Sequence, residues 1–160
     1  MKFIKELIPY VVILIVVVII RTFIVTPVIV SGDSMNDTLK DGDVLLLKKY
    51  DKEYSRGEIV VFNHEGSKLV KRVIGLPGEY VSYDKGKLYI NGEEVEDKFA
   101  LITRDYELAV FEIDYIPEGY YFVIGDNRNR SSDSRIIGLI SENDILGTTS
   151  FSLLPFKGIE

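Results

Sequence analysis

Residues 31–39, Ser-Gly-Asp-Ser-Met-Asn-Asp-Thr-Leu, follow a long apolar segment and begin the polar part of the chain. A serine beside a glycine and small polar residues, just after an extended apolar stretch, suits a turn that lifts a hydroxyl out of a strand end. Such a turn leaves backbone N–H groups free beside that hydroxyl. Ser34 is therefore a candidate nucleophile. The spacing of Ser34 and Asp37 equally fits a helix capping box, so both interpretations stay open here.

Composition limits the classes of function. A chain of 160 residues has room for one membrane segment and one domain with its own core. The net charge of −6 comes without a basic patch, which argues against a nucleic-acid partner. The chain has no cysteine, and His64 is its single histidine. Disulfide frameworks, thiolate nucleophiles and Cys- or His-rich metal sites are thereby excluded, and no metal or organic cofactor is indicated.

The apolar segment covers residues 7–30, interrupted by few polar side chains. A membrane helix needs about 20 residues, so this segment can cross a bilayer. Its uninterrupted part, residues 11–20, also allows a signal-peptide core or a buried strand. However, no Ala-X-Ala-like cleavage site follows, and the run is too long and too uniformly apolar for an ordinary strand. We therefore expect a membrane helix, with Arg21 near its far interface.

The charges at the N-terminus predict how the chain is divided by the membrane. Lys2 and Lys5 precede the apolar segment, and positive charge favours the cytoplasmic side. We expect residues 1–6 to be a cytoplasmic N-terminus, residues 7–29 a transmembrane anchor, and residues 30–160 an extracytoplasmic domain.

Beyond residue 40 the pattern is one of short strands and turns. Asp41-Gly42-Asp43, residues 54–57 and Asn91-Gly92 predict turns, the last of them a two-residue hairpin. No amphipathic helix is evident, and residues 93–117 carry no clear pattern. The sequence predicts a mainly β fold built from antiparallel sheet. The predicted strands are 44–48, 58–62, 68–74, 80–83, 87–90, 120–124 and 145–153.

A serine nucleophile needs a base at neutral pH, and the chain offers two candidates. His64 lies in a predicted hairpin loop, where a histidine is usually solvated. Lys71 alternates with Leu69 and Val73 along a predicted strand, so it shares a face with two apolar residues. Burial there would lower the pKa of the amine and let it accept a proton. An ordinary exposed lysine on an edge strand remains the alternative.

A second polar cluster follows the predicted strand 120–124. Residues 125–135, Gly-Asp-Asn-Arg-Asn-Arg-Ser-Ser-Asp-Ser-Arg, are dense in charges and hydroxyls. This composition is compatible with a solvated loop. It is equally compatible with a hydroxyl that orients the base and an Asp133–Arg135 pair that fixes the loop.

Taken together, these segments resemble the type I signal peptidases, and most of all their short Gram-positive form. Members of that family are membrane-bound serine proteases that remove signal peptides from exported proteins. The resemblance covers nearly the whole chain, and four boxes in the same order after one anchor make it specific. The similar segments are 21–23, 31–39, 42–46, 71–79 and 125–135.

The resemblance implies roles for individual residues. Ser34 would be the nucleophile, Lys71 the general base, and Ser131 the hydroxyl that orients the lysine amine. The supporting residues implied are Gly32, through its backbone in the oxyanion-hole region, Met35 beside the site, and Asp133 and Arg135 as braces of the loop.

Three positions depart from the usual family pattern. Asp37 occupies a position that usually holds proline, so the local turn is expected to differ. Glu79 replaces the usual aspartate. Some members carry a hydroxyl at the position of Gly32, where this chain can contribute only backbone.

The implied activity is cleavage after small residues, of the Ala-X-Ala type, through an acyl-enzyme. The implied partners are preproteins, the lipid bilayer and the export translocon, without nucleic acid. A self-cleaving repressor-like protein would share the Ser–Lys β core but needs no membrane span. A non-catalytic anchored β domain for adhesion or assembly would leave the spacing of Ser34, Lys71 and Ser131 unexplained.

Overall fold

The computed structural model describes residues 2–50, 53–99 and 103–159. Met1 and Glu160, the first and last residues of the predicted cytoplasmic and extracytoplasmic parts, lie outside the described residues. The side chains of Lys2 and Lys5, on which the predicted orientation depends, also lie outside the described part.

The chain begins with a long, solvent-exposed apolar helix. Helix α1 (Lys2–Ile19) continues into a π-helical turn (Ile20–Ile24). Residues Glu6–Ile24 are long and apolar enough to cross a membrane, and none of this span is buried within the protein. An apolar helix that finds no partner in its own domain is consistent with membrane anchoring.

The end of this helix differs from the expected anchor boundary at residue 29. Val25–Ile29 is a β-strand that pairs with residues 44–48. Pro27 explains the change, because proline lacks an N–H group and disfavours helical geometry in the residue before it. The apolar helical segment therefore connects directly to the sheet without a linker.

The rest of the chain forms two antiparallel sheets, as the sequence predicts. The strands are β1 (Val25–Ile29), β2 (Val44–Lys48), β3 (Ile59–His64), β4 (Ser67–Gly75), β5 (Val81–Asp84), β6 (Lys87–Ile90), β7 (Glu93–Val95), β8 (Tyr106–Glu107), β9 (Tyr120–Ile124), β10 (Ile140–Ser141), β11 (Ile145–Thr149), β12 (Phe151–Leu154) and β13 (Phe156–Gly158). Short helical segments are α2 (Ser134–Ile137) and two 3₁₀ turns, Leu108–Phe111 and Glu142–Asp144.

The larger sheet has the order β10-β9-β4-β3-β11-β2-β12-β13, with β1 paired to β2, and the smaller has the order β7-β6-β5-β8. The mainly β prediction is confirmed. Each of the seven predicted strands has a counterpart, but residues 145–153 form two strands, β11 and β12, instead of one. Strands β7 and β8 lie in the region that carried no clear pattern.

Strand β4 organises the centre of the larger sheet. It pairs with β3 from Ser67 to Arg72, where Lys71 lies opposite Val60. Its pairing with β9 begins only at Arg72, opposite Ile124. The loop that follows β9 therefore begins beside Lys71.

Candidate active site

The structure brings the hydroxyl of Ser34 and the amine of Lys71 together. Lys71 Nζ lies 2.8 Å from Ser34 Oγ and also donates to the carbonyl of Val70 at 2.9 Å. Only 2% of Lys71 is exposed. These two candidates, separated by 37 positions in the chain, thus form a direct hydrogen-bonded pair.

The segment around Ser34 is a compact turn. Backbone hydrogen bonds join Asn36 N–H to the Asp33 carbonyl at 3.0 Å and Leu39 N–H to the Met35 carbonyl at 2.8 Å. No α-helix begins there among the described residues, so the capping interpretation does not apply. Ser34 Oγ instead meets Lys71, as the turn interpretation expects.

Burial sets the protonation behaviour of Lys71. Loss of hydration lowers the pKa of Lys71 to about 8, against the opposing attraction of Asp133 and Asp126. The neighbours Leu69 and Val73 on the same face of β4 pack in one apolar cluster, as the alternation predicted. An amine with a pKa near 8 is neutral often enough near physiological pH to accept a proton.

The loop after β9 is held by a buried carboxylate. Asp133 Oδ2 accepts the N–H of Gly125 at 3.0 Å, and both Asp133 oxygens accept from the Arg135 guanidinium at 2.8 Å. Arg135 Nη2 also donates to the carbonyl of Arg128 at 2.9 Å. The expected Asp133–Arg135 pair is therefore present and joins both ends of the loop.

Ser131 lies close to the pair but does not bind Lys71 in this structure. Its Oγ is buried without a hydrogen-bond partner. A Cβ built on Gly125 would lie 2.3 Å from Ser131 Oγ and 2.4 Å from the Ser34 carbonyl oxygen, so both oxygens lie close to the same point in space. The expected hydrogen bond to the amine is thus not formed, although the hydroxyl is near the site.

Met35 and Gly32 are the two remaining residues that the sequence predicted for the site. Met35 is 1% exposed and packs in an apolar cluster with Val30 and Val70, which agrees with a position beside the site. Gly32 has a φ of 90°, a conformation that glycine adopts without strain. Its N–H donates to Asp41 Oδ1 at 2.8 Å, so this donor is already occupied and Gly32 acts here on the shape of the turn.

His64 lies away from the pair. It is the last residue of β3, opposite Ser67 in the hairpin, and is half-buried. It lies four positions along the strand from Val60, which pairs with Lys71, or about 13 Å in extended backbone. His64 therefore ends the strand instead of lying in the predicted loop, which is reduced to the turn at Glu65 and Gly66.

Asn127 was missed by the sequence reasoning. Its backbone N–H donates to the Ser34 carbonyl, and its side-chain Nδ2 donates to the Asp33 carbonyl, both at 3.0 Å. Asn127 therefore joins the nucleophile turn to the loop after β9. Its place within residues 125–135 was the only signal, since nothing in the sequence indicates its partner.

A buried ion pair supports the same region. Arg72 donates to both oxygens of Asp126, at 2.9 and 2.7 Å, with almost no exposure of either side chain. The hydroxyl of Thr38 donates to Asp126 at 2.6 Å. Asp126 thereby connects β4 with the turn that carries Ser34.

A hydroxyl in contact with a buried amine of lowered pKa has the parts needed for nucleophilic catalysis. Within residues 2–50, 53–99 and 103–159, no cluster of histidine, aspartate and glutamate side chains could hold a metal ion.

Comparison with known proteins gives a consistent result. The family model described as signal peptidase, peptidase S26, matches residues 3–154. A signal peptidase I of Bacillus amyloliquefaciens is 39% identical over 153 residues, which cover 89% of this chain and 83% of that protein. Signal peptidase IB of Staphylococcus aureus is 37% identical over 158 residues, covering 87% and 83%. The crystal structure of a signal peptidase I from Enterococcus faecalis superposes with a TM-score of 0.56 at 35% identity, covering 60% of this chain and 96% of that one.

Proposed function

The chain belongs to the signal peptidase family, peptidase S26, a family of serine endopeptidases, and on that premise we propose that it removes signal peptides from exported preproteins. Ser34 is the nucleophile and Lys71 the general base. The observation that carries this assignment is the 2.8 Å contact of Lys71 Nζ with Ser34 Oγ, made by a lysine whose pKa burial lowers to about 8.

The acylation step follows from this pair. Neutral Lys71 takes the hydroxyl proton as Ser34 Oγ attacks the scissile carbonyl carbon. The lysine then gives that proton to the leaving amine, so that the C–N bond breaks and an ester to Ser34 remains. Water, deprotonated by the same amine, hydrolyses the ester and regenerates the hydroxyl.

The developing oxyanion needs fixed donors. The backbone N–H of Ser34 is the donor we assign, because the N–H of Gly32 is held by Asp41. Asp133 and Arg135 hold Gly125 against the nucleophile turn, and Ser131 turns toward Lys71 to orient its amine during the reaction.

The surroundings suit a preference for small side chains before the cut. Met35 lies in one apolar cluster with Val28 of β1, Val30 just after that strand, and Val70 of β4. Among the described strands, β1 pairs with β2 alone, and β4 is unpaired toward β9 before Arg72. An extended preprotein segment can add as a strand at such an edge, with small residues of the Ala-X-Ala type facing the apolar cluster.

The anchor suits delivery of membrane-bound substrates. Residues 1–6 are cytoplasmic, the span enters the bilayer from there, and the β domain lies on the extracytoplasmic side, where signal peptides emerge from the export translocon. The helical part of the anchor ends at Ile24, so the domain begins with β1.

Cleavage of a purified preprotein in detergent tests this proposal. Wild type, Ser34→Ala, Lys71→Ala and His64→Ala are compared, and the cut site is read by mass spectrometry. We expect the Ser34 and Lys71 variants to be inactive, His64→Ala to retain activity, and the cut to follow an Ala-X-Ala sequence. An inactive His64→Ala, or an active Lys71→Ala, contradicts the assignment of the base.

A further inference from the structure

Two buried hydroxyls outside the Ser34–Lys71 pair are without a hydrogen-bond partner. In the part of the chain that the structure describes, Tyr106 Oη and Ser131 Oγ are the buried side-chain polar atoms in this condition. Each residue is 9% exposed. Because an unsatisfied buried hydroxyl costs free energy, such groups normally bind ordered water.

Both hydroxyl-bearing residues line the same cavity, of about 280 Å³, which neither Ser34 nor Lys71 lines. A water molecule occupies about 30 Å³ in the liquid and needs two to four polar partners. The cavity has the space for one, and the two unpaired hydroxyls of its lining residues are the candidate partners.

The charges at the cavity wall favour water over an anion, because carboxylates lie against or beside its arginines. Arg128 pairs with Asp97 and Arg135 pairs with Asp133, while Arg104 is one of the lining residues together with its chain neighbour Asp105. The wall is therefore close to neutral overall, and a neutral ligand fits it.

Tyr106 is suited to a fixed donor role. It lies in β8, and its ring packs against Phe122 with the centroids 5.1 Å apart. Burial raises the pKa of Tyr106, so the hydroxyl keeps its proton across the working range of pH. Its position is thus set by apolar packing, while its proton is available to an acceptor in the cavity.

Resting on the role given above to Ser131, we propose that an ordered water in this cavity hydrogen-bonds the hydroxyls of both Tyr106 and Ser131, which makes Tyr106 a positioning residue. Both hydroxyls donate to the water oxygen, which has two lone pairs. The proton of Ser131 then points away from the lysine, and Ser131 Oγ accepts an N–H of Lys71. The lone pair of the amine is left for the hydroxyl of Ser34.

Without the water, the Ser131 proton would turn to the lysine lone pair and occupy it. That contact stabilises the neutral amine, so it lowers the pKa of Lys71 while it hinders proton abstraction. The carboxylates that act on Lys71, Asp133 and Asp126, remain in place in either case.

A double-mutant cycle in preprotein cleavage tests the proposal, using the full chain in detergent. The variants are Tyr106→Phe, Ser131→Ala and their combination, with Tyr89→Phe in the same small sheet as the control. We expect Tyr106→Phe to lower kcat roughly three- to tenfold with KM unchanged, and to move the acid limb of kcat to lower pH. In the Ser131→Ala background Tyr106→Phe should have no further effect, since the two changes act through one water.

The outcomes separate this inference from the proposed function. Wild-type activity in Ser131→Ala overturns the role of Ser131 itself. An impaired Ser131→Ala with an unaffected Tyr106→Phe overturns only the water link. The water link is also overturned if Tyr106→Phe lowers kcat equally in the wild-type and Ser131→Ala backgrounds. It is likewise overturned if the acid limb moves to higher pH, toward the ordinary lysine pKa. Either result would indicate that Tyr106→Phe loosens the packing and hydrates Lys71.

Discussion

Replacing Lys71 by methionine should change how stability depends on pH. Burial lowers the pKa of Lys71 from 10.5 to about 8. At about 1.4 kcal/mol for each pKa unit, this shift corresponds to about 3 kcal/mol of unfavourable free energy when the buried amine is charged. Methionine keeps most of the apolar stem without the charge.

The sign follows from proton binding. Between pH 8 and 10.5 the unfolded chain keeps the lysine proton and the folded chain has lost it, so the free energy of unfolding rises with pH. The wild type therefore gains about 3 kcal/mol over this interval that Lys71→Met does not gain. Below pH 8 the wild type carries the full cost, and above 10.5 the cost disappears.

Urea unfolding of the purified full chain in detergent, followed by near-ultraviolet circular dichroism at several pH values, measures this difference. Lys85→Met is the matched control, because 86% of that side chain is exposed and its replacement should leave the pH dependence unchanged. Parallel curves for wild type and Lys71→Met would refute the reasoning, since they would mean that Lys71 titrates alike in the folded and unfolded chain.

Substitutions at two further positions test the loop and the turn. Gly125→Ala puts a Cβ 2.4 Å from the Ser34 carbonyl oxygen and 2.3 Å from Ser131 Oγ, so preprotein cleavage should fall by roughly a hundredfold or more. Gly158→Ala, where the Cβ meets nothing within 4 Å, should leave it unchanged, and equal activities would contradict the close approach. Asp37 has a φ of 95°, so Asp37→Gly should raise the free energy of unfolding by up to about 1 kcal/mol. Asp37→Pro should lower the free energy of unfolding by about 2 kcal/mol or more, because the φ of proline is fixed near −65°. An unchanged free energy in urea unfolding of Asp37→Pro would contradict this turn conformation.

Local patterns were sufficient for most strands. Residues 87–90 and 120–124 were predicted with the bounds that the structure has, since short apolar or alternating runs bounded by turns indicate strands. The alternation along β4 also predicted that Lys71 faces the same side as its apolar neighbours. Such signals depend only on residues near each other in the chain.

The smaller sheet was harder to predict because its outer strands carry little pattern. Glu93–Val95 is a short strand with two exposed residues, and Tyr106–Glu107 has only two residues. The latter pairs with residues 82 and 83 across a long intervening segment. Strands so short are defined by their partners, which a sequence pattern does not identify.

In the site, too, some contacts had a signal in the sequence and others had none. The pairing of Ser34 with Lys71 was expected from the family resemblance, since the local patterns alone left other interpretations of both residues open. The contact of Asn127 with the Asp33 carbonyl joins residues 94 positions apart, and the use of the Gly32 N–H by Asp41 depends on how the turn closes. These hydrogen bonds follow from the packed structure and had no signal in the residues alone.

The pH dependence of kcat/KM for preprotein cleavage tests the central claim most directly, because it reports the pKa of the essential base in the free enzyme. If Lys71 is the base, activity rises with pH along an acid limb near pH 8, and His64→Gln leaves that limb in place. An acid limb near the ordinary histidine pKa of about 6.5, lost in His64→Gln, would contradict the account.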